Sequence, residues 1–137
     1  MALRAPQTPR RMSENEELTE AERQLLQGQL QEERRKVLWR RDEHVREAIG
    51  DQGLPADEMD VASQFQEQAF LLRLADKEQK LMLEIDNALR KFRDGTYGLC
   101  EGTGQPIGFR RLEARPWTRY SIEYKEQLER EERGFSR

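Results

Sequence analysis

The sequence has few of the features that stabilise small extracellular or membrane proteins. It has one cysteine, Cys100, in 137 residues, which excludes an intrachain disulfide framework. It also has no apolar run long enough for a signal peptide or a membrane span. Hydrophobic residues make up 35% of the chain and charged residues 37%, so the chain is poor in core and rich in solvated surface. We therefore expect a cytoplasmic protein with long charged helices and no membrane partner.

The charge balance restricts the partners further. The formal net charge is −3, whereas nonspecific binding to duplex DNA depends on neutralising phosphates with an excess of cations. No recognition helix is evident either. We expect no direct, specific DNA binding, and we expect the protein to be a monomer.

A polar tail and a long helix are predicted at the N-terminus. Residues 1–17 contain two prolines, several charges and no periodicity, which is typical of a disordered tail. Thr19 followed by Glu22 matches a capping box, the usual signal for a helix start. Apolar residues at intervals of three, four or seven then continue the helical pattern to about Ile49.

A second helix is predicted after a break rich in glycine. Its pattern starts near Asp60 and continues to Phe92 or Arg93. Its apolar stripe is predicted to include Phe70, Leu74, Leu81, Ile85, Ala88 and Phe92, with Leu72, Met82 and Leu89 beside it. Two long helices joined by a short turn predict an antiparallel coiled-coil hairpin over residues 18–93, with an acidic tip near residues 54–62. We call residues 18–93 the finger.

The C-terminal part has the spacing of a zinc ribbon but few of its ligands. Cys100 and Thr103 stand at C-x2-C spacing, and Ser121 and Tyr124 repeat that interval. Structural zinc prefers four nitrogen or sulfur donors, and three of these residues offer only hydroxyl groups. We therefore expect no zinc and no other bound cofactor. Tyr124 is predicted to fill the space of a metal ligand, while Thr103 and Ser121 form local hydrogen bonds.

Packing is predicted to replace the metal in this part of the chain. Apolar and aromatic residues are dense there: Tyr97, Leu99, Ile107, Phe109, Leu112, Trp117, Tyr120, Ile122 and Tyr124. We interpret residues 94–137, called the C-terminal module below, as a degenerate, metal-free zinc-finger-like unit. A charged helix from Trp117 or Thr118 to about Arg133 is predicted to close the chain. The fold class is thus mainly α.

Four segments give the chain a resemblance to a known family. They are DGTYGLC at 94–100, PIGFRRLEARP at 106–116, IEYKE at 122–126, and the tip motif DEMDVASQ at 57–64. Together they resemble the DksA/TraR family of bacterial RNA polymerase-binding regulators. The missing zinc ligands make the chain similar to a zinc-independent paralogue within that family.

The resemblance implies a regulator and not an enzyme. In this family the globular module holds the rim of the polymerase secondary channel, and the finger brings its acidic tip near the catalytic magnesium. Mapped onto this chain, the tip residues are Asp57, Asp60 and Ala62. The implied outcome is destabilisation of promoter complexes, those of ribosomal RNA promoters among them.

The resemblance also implies a co-regulator, the alarmone ppGpp of the stringent response. Arg115 and Lys125 fall on the basic positions associated with ppGpp at the interface between factor and polymerase. Glu84 stands where the family pattern has a lysine. The ppGpp response is therefore the implied property that this sequence matches least well.

Two other functions are compatible with parts of the sequence. A Gre-like transcript cleavage factor would deliver acids through the same channel and promote RNA hydrolysis by holding a second metal. A structural coiled-coil adaptor would use the apolar stripe for self-association and would not need the tip. Cleavage of RNA in backtracked complexes tests the first function, and dispensability of the tip tests the second.

Overall fold

The computed structural model describes residues 17–50 and 58–135. Its element order is α1 (Glu20–Ile49), α2 (Glu58–Asp94), α3 (Phe109–Ala114) and α4 (Ile122–Phe135). The predicted mainly α class with a long helical hairpin is confirmed. The predicted tail and most of the turn between the long helices lie outside the described residues. Within residues 17–50 and 58–135, no helix has the length and apolar character needed to cross a membrane.

The start of α1 follows the predicted capping box. The Thr19 hydroxyl accepts a hydrogen bond from the Glu22 backbone N–H at 3.1 Å, and the Glu22 carboxylate accepts one from the Thr19 N–H at 2.9 Å. Two backbone donors that the first turn leaves without helical partners are satisfied in this way. The 30 residues of α1 then give a rod of roughly 45 Å.

The two long helices run antiparallel in a defined register. Arg34 Nε donates to Asp86 Oδ1 at 2.7 Å, and Arg41 Nη1 donates to Gln79 Oε1 at 2.6 Å. Residue numbers therefore rise along α1 as they fall along α2. The apolar seam between the helices lies in the same register, with buried Leu26, Leu30, Val37, Ala48, Ala75, Met82, Ile85 and Ala88.

One residue assigned to the apolar stripe of the second helix, and one predicted beside the stripe, lie outside the seam. Phe70 is 52% exposed and Leu72 is 50% exposed. Including Phe70 in the stripe was wrong because a two-helix hairpin buries only a narrow strip of each helix, and Leu72, predicted beside the stripe, lies outside that strip as well. Residues on both flanks of that strip remain in solvent, and Ala75 takes the buried position near them.

The C-terminal helix begins later than the sequence pattern indicates. The predicted start at Trp117 or Thr118 is wrong, since α4 begins at Ile122. Residues 115–118 form a turn closed by the Thr118 N–H and the Arg115 carbonyl at 3.0 Å. Ser121 then starts the helix, because its hydroxyl accepts the Tyr124 N–H at 3.3 Å. The side chain at one of the four predicted ligand positions is thus a helix cap.

Candidate functional site

A tight turn holds Cys100 in the C-terminal module. Leu99 and Pro106 form an isolated antiparallel bridge, and the Cys100 N–H donates to the Gln105 carbonyl at 2.8 Å. The Cys100 carbonyl accepts the Gly104 N–H at 2.8 Å. These bonds fold residues 99–106 into a small hairpin with the thiol buried, at 2% exposure.

Hydrogen bonds surround the Cys100 sulfur. Burial raises the pKa of the thiol, but the Ser121 backbone, the Thr103 hydroxyl and the backbone N–H groups of Gly102 and Thr103 together lower that pKa to about 7. The Gly102 N–H lies 3.4 Å from Sγ. The hydrogen-bond donors that lower the pKa of Cys100 would also stabilise its thiolate form. They surround this one sulfur atom.

The other three ligand positions are occupied differently. The Thr103 hydroxyl accepts the Gln105 N–H at 3.2 Å, and Ser121 is buried as the α4 cap. The Tyr124 ring covers Gly102 so closely that a Cβ placed there would lie 2.3 Å from Cε2. Within residues 17–50 and 58–135, no group of three or more His, Cys, Asp or Glu side chains is arranged to hold a metal ion.

Aromatic packing joins the module to the base of the finger. The Tyr97 ring stacks on Phe92 of α2 with centroids 4.0 Å apart. The Tyr97 hydroxyl donates to the Pro116 carbonyl at 2.8 Å, and burial raises the pKa of this tyrosine. Tyr97, which precedes α3, thus packs on α2 and also holds Pro116, which follows α3.

Hydrogen bonds and ion pairs to Glu101 form a second connection between the C-terminal module and the finger. Glu101 accepts hydrogen bonds from Arg119 Nη2 at 2.9 Å and Asn87 Nδ2 at 3.2 Å, and Lys91 Nζ lies 2.7 Å from its Oε2. The Arg119 hydrogen bond, which outweighs burial, together with those from Lys91 and Asn87, lowers the pKa of Glu101 to about 2. Arg119 also pairs with Glu84 at 3.5 Å. The orientation of the module on α2 therefore depends on charge as well as packing.

Sequence reasoning missed Glu101 as the centre of this network. Read from the sequence alone, the arginines at 110, 111, 115 and 119 are interleaved with Glu113, Glu123 and Glu126, which indicates local ion pairs on the surface. Arg119 instead reaches back 18 positions along the chain to Glu101, with its Nε 3.1 Å from Glu101 Oε1. The only local signal was an acid beside Cys100, which by itself indicates no partner.

The network predicts an acid-sensitive contribution to stability. Because the pKa of Glu101 falls from the ordinary 4.5 to about 2 on folding, its contribution is complete above pH 4.5 and is lost as the pH falls toward 2. Replacing Glu101 with glutamine should lower the free energy of unfolding at pH 7 by about 1–2 kcal/mol, allowing for solvent screening. Urea titrations at pH 7 and near pH 2 measure this.

An exposed acid on α4 provides the matched control for that titration. Glu126→Gln removes the same charge from the surface and should change stability by less than about 0.5 kcal/mol. An equal loss for Glu101→Gln at both pH values would show that packing of the side chain, and not its charge, holds the module in place.

The described part of the tip lies at the opposite end of the finger from the module. Asp60 and Ala62 are exposed in the first turns of α2. An acid in the first turn is favourable because the helix N-terminus has partial positive charge. Asp57 lies outside the described residues. The length of α2, 37 residues or roughly 55 Å, separates the tip from the network at Glu101.

The basic positions inferred from the family lie on the C-terminal module. Arg115 ends α3 and Lys125 lies in the first turns of α4, and both side chains are exposed. Glu84, at the position where a lysine was expected, lies on α2 and pairs with Arg119. The acid therefore has a structural partner in this chain.

Comparison with known proteins agrees with this arrangement. Residues 95–123 match the model of the prokaryotic dksA/traR C4-type zinc finger. RNA polymerase-binding transcription factor DksA of Caulobacter vibrioides is 51% identical over 78 residues, which cover 57% of this chain and 55% of that protein. The Escherichia coli protein of the same name is 44% identical over 69 residues, covering 50% and 46%. The matches thus span about half the length of these curated relatives.

The likeness to a solved structure extends over most of the chain. Transcription factor DksA2 from Pseudomonas aeruginosa is 38% identical, with a TM-score of 0.76, and the match covers 83% of this chain and 88% of that one. The fold and site therefore define a helical finger joined to a zinc-finger-like module. The chain belongs to the DksA/TraR family.

The donor set of this chain does not fit the zinc ion that a C4-type finger implies. Four thiolates would be required, and only Cys100 is a thiol. The Ser121 hydroxyl accepts a backbone N–H as a helix cap, and the Tyr124 ring lies on Gly102.

Proposed function

We propose that this protein is a transcription regulator, not an enzyme, that binds bacterial RNA polymerase through the secondary channel. The main support is the likeness to DksA2 over most of both chains, which includes the finger and the module together. The Caulobacter and Escherichia relatives are named for binding RNA polymerase, which supports polymerase as the partner. The regulator acts as a monomer in the cytoplasm, without specific contacts to DNA.

The finger delivers acids to the polymerase active site. Its α2 helix is long enough to extend from the channel rim inward, and Asp60 lies exposed at the far end. A carboxylate close to a magnesium ion competes with the waters and phosphates that usually complete its coordination. Asp57 and Asp60 act in this way, and Ala62 shapes the surface beside them. The result is a shorter lifetime of promoter complexes at ribosomal RNA promoters.

The module holds the finger without zinc. The packing of Tyr97 on Phe92 and the network at Glu101 provide the connections to α2 that a rigid attachment needs. The Ser121 cap and the Tyr124 ring take the places of two ligands. Such a factor keeps working when zinc is scarce, because metal-dependent folding no longer limits it.

The alarmone ppGpp acts as a co-regulator through Arg115 and Lys125, which are exposed and able to contact phosphates. Glu84 weakens that response, because its carboxylate repels an anionic ligand even while paired with Arg119. We expect the effect of ppGpp on this factor to be smaller than on a relative with a lysine at that position.

Run-off transcription from a ribosomal RNA promoter, with zinc chelated throughout, tests the proposal. The wild type should inhibit, and Asp57→Asn or Asp60→Asn should lose most of that inhibition, because the amide keeps the shape and removes the charge. The amide variants should still bind polymerase, since the contacts of the module are unchanged.

Three outcomes would contradict parts of the proposal. No inhibition by the wild type under chelation, with inhibition restored by zinc, would reject zinc independence. No binding to polymerase under either condition would reject the regulator itself and favour an adaptor. Cleavage of RNA in backtracked complexes that depends on Asp60 would identify a Gre-like cleavage factor.

A further inference from the structure

A basic groove runs along the base of the finger. One part of it, about 480 Å³, is lined by Arg34 of α1 and by Leu89, Arg90 and Arg93 of α2. The adjoining part, about 450 Å³, lies toward the start of α1 and shares Arg93. We call these two parts together the basic groove.

The arginines of α2 in the groove lack ion-pair partners among the described residues, and Arg90 Nη1 donates a long hydrogen bond to Asn87 Oδ1 at 3.4 Å. In the described ranges 17–50 and 58–135, neither Arg90 nor Arg93 has a carboxylate within 4.0 Å, and both side chains are exposed. Arg34 uses its Nε for Asp86, which leaves its terminal nitrogens at the groove surface with 41% of the side chain exposed. Three arginines therefore line this part of the groove together with the half-buried Leu89 and the carboxylate of Asp86.

The part of the groove at Arg34 and Arg90 lies on the flank of the finger opposite α3, while Gly95, at the start of the C-terminal module, lines the other part. Gln27 and Arg34 line the groove, whereas Gln29 and Lys36 of the same helix face the module beside Glu113. At 100° per residue these two sets fall on opposite flanks of the buried stripe of α1. A ligand between Arg34 and Arg90 would leave α3 and the tip unobstructed.

We infer that the basic groove binds an acidic protein surface, and that this surface belongs to the polymerase. The inference rests on the proposed function, which supplies the partner. Planar guanidinium groups bind carboxylates through two parallel hydrogen bonds, and the glutamine amides beside them can satisfy the remaining polar groups. The groove therefore makes a second contact on the polymerase, which fixes the rotation of the finger about its long axis.

Nucleic acid is the less suitable occupant. The cations at the groove are Arg23, Arg34, Arg90 and Arg93, and two carboxylates, Glu20 and Asp86, lie among them. The excess of positive charge is small, whereas duplex DNA presents about one negative charge per 1.7 Å of its axis. Carboxylates spaced along a folded surface match this sparse pattern better.

The test measures the affinity of the full chain for RNA polymerase core enzyme. Arg90→Glu combined with Arg93→Glu should weaken binding about tenfold at low salt, and less at high salt because exposed charges are screened. The control is Arg35→Glu combined with Arg46→Glu. Both arginines lie on the outer side of α1, at 73% and 70% side-chain exposure, so the variant has the same charge change away from the groove. Fluorescence anisotropy of labelled protein gives the affinity.

The outcomes separate the inference from the proposed function. Weaker binding for the groove variant alone is the expected result. Equal affinities of both variants and the wild type would overturn the inference that the groove binds polymerase. They would leave the proposed regulatory function unchanged. Absence of binding by the wild type would overturn both. A short single-stranded DNA that binds the wild type but not the groove variant would assign the groove to nucleic acid and reject the inference.

Discussion

Replacing Leu112 with alanine is expected to lower the free energy of unfolding of the C-terminal module by about 3–5 kcal/mol. Leu112 is fully buried in α3 and belongs to the same cluster as Tyr97, Cys100 and Ile107. Removing the side chain leaves a cavity within this cluster. The whole stability of a small domain is only about 5–15 kcal/mol, so the loss is severe.

Fluorescence can follow the two parts of the molecule separately. The chain has two tryptophans, Trp39 on α1 and Trp117 in the module. Urea denaturation of Leu112→Ala in a Trp39→Phe background reports on the module. Leu25→Ala is the control, because Leu25 is 49% exposed and should cost no more than about 0.5–1 kcal/mol. A comparable loss for both leucines would show that the module does not depend on its apolar core.

Replacing Gly98 with alanine is expected to lower the free energy of unfolding by about 2–4 kcal/mol, the second largest effect. Gly98 has φ +91°, in the region that favours glycine, and its carbonyl accepts the Ile107 N–H at 2.7 Å. A Cβ at this position would lie 3.0 Å from Leu18 Cδ1. Leu18 precedes α1, so the substitution disturbs the contact between the start of the finger and the module.

Gly95 allows backbone strain to be measured separately from the crowding of Leu18. It also has positive φ, +77°, but a Cβ there would meet no heavy atom within 4 Å. Gly95→Ala should therefore cost only the backbone strain, about 1 kcal/mol. The difference between the two alanine variants in thermal or urea unfolding gives the cost of crowding Leu18. Equal losses would mean that Leu18 moves aside freely.

The candidate site was predictable where its signals were local. The C-x2-C spacing of Cys100 and Thr103 and its repeat at Ser121 and Tyr124 can be read directly from the sequence, as can the poor zinc-binding character of three hydroxyls. The tip acids and the basic residues Arg115 and Lys125 came from the family resemblance, and their roles remain predictions. The Glu101 network was not predictable, because its members come from three separate segments of the chain.

The sequence by itself determined the elements that depend on neighbouring residues. The Thr19–Glu22 capping box, the helical periodicity of both long helices and the mainly α class follow from interactions within a few positions, and the structure has each of them. The loss of metal ligands is likewise a property of residue identity.

Only the tertiary structure decided which surfaces meet. It placed Phe70 and Leu72 in solvent, paired Arg119 with Glu101, and made Ser121 a helix cap. It also brought the arginines of two helices to one groove on a single flank of the finger. Helical periodicity fixes the angular position of each residue on its own helix. The register between the two long helices and the docking of the C-terminal module determine which residues that position contacts. The register and the docking both depend on contacts between distant parts of the chain.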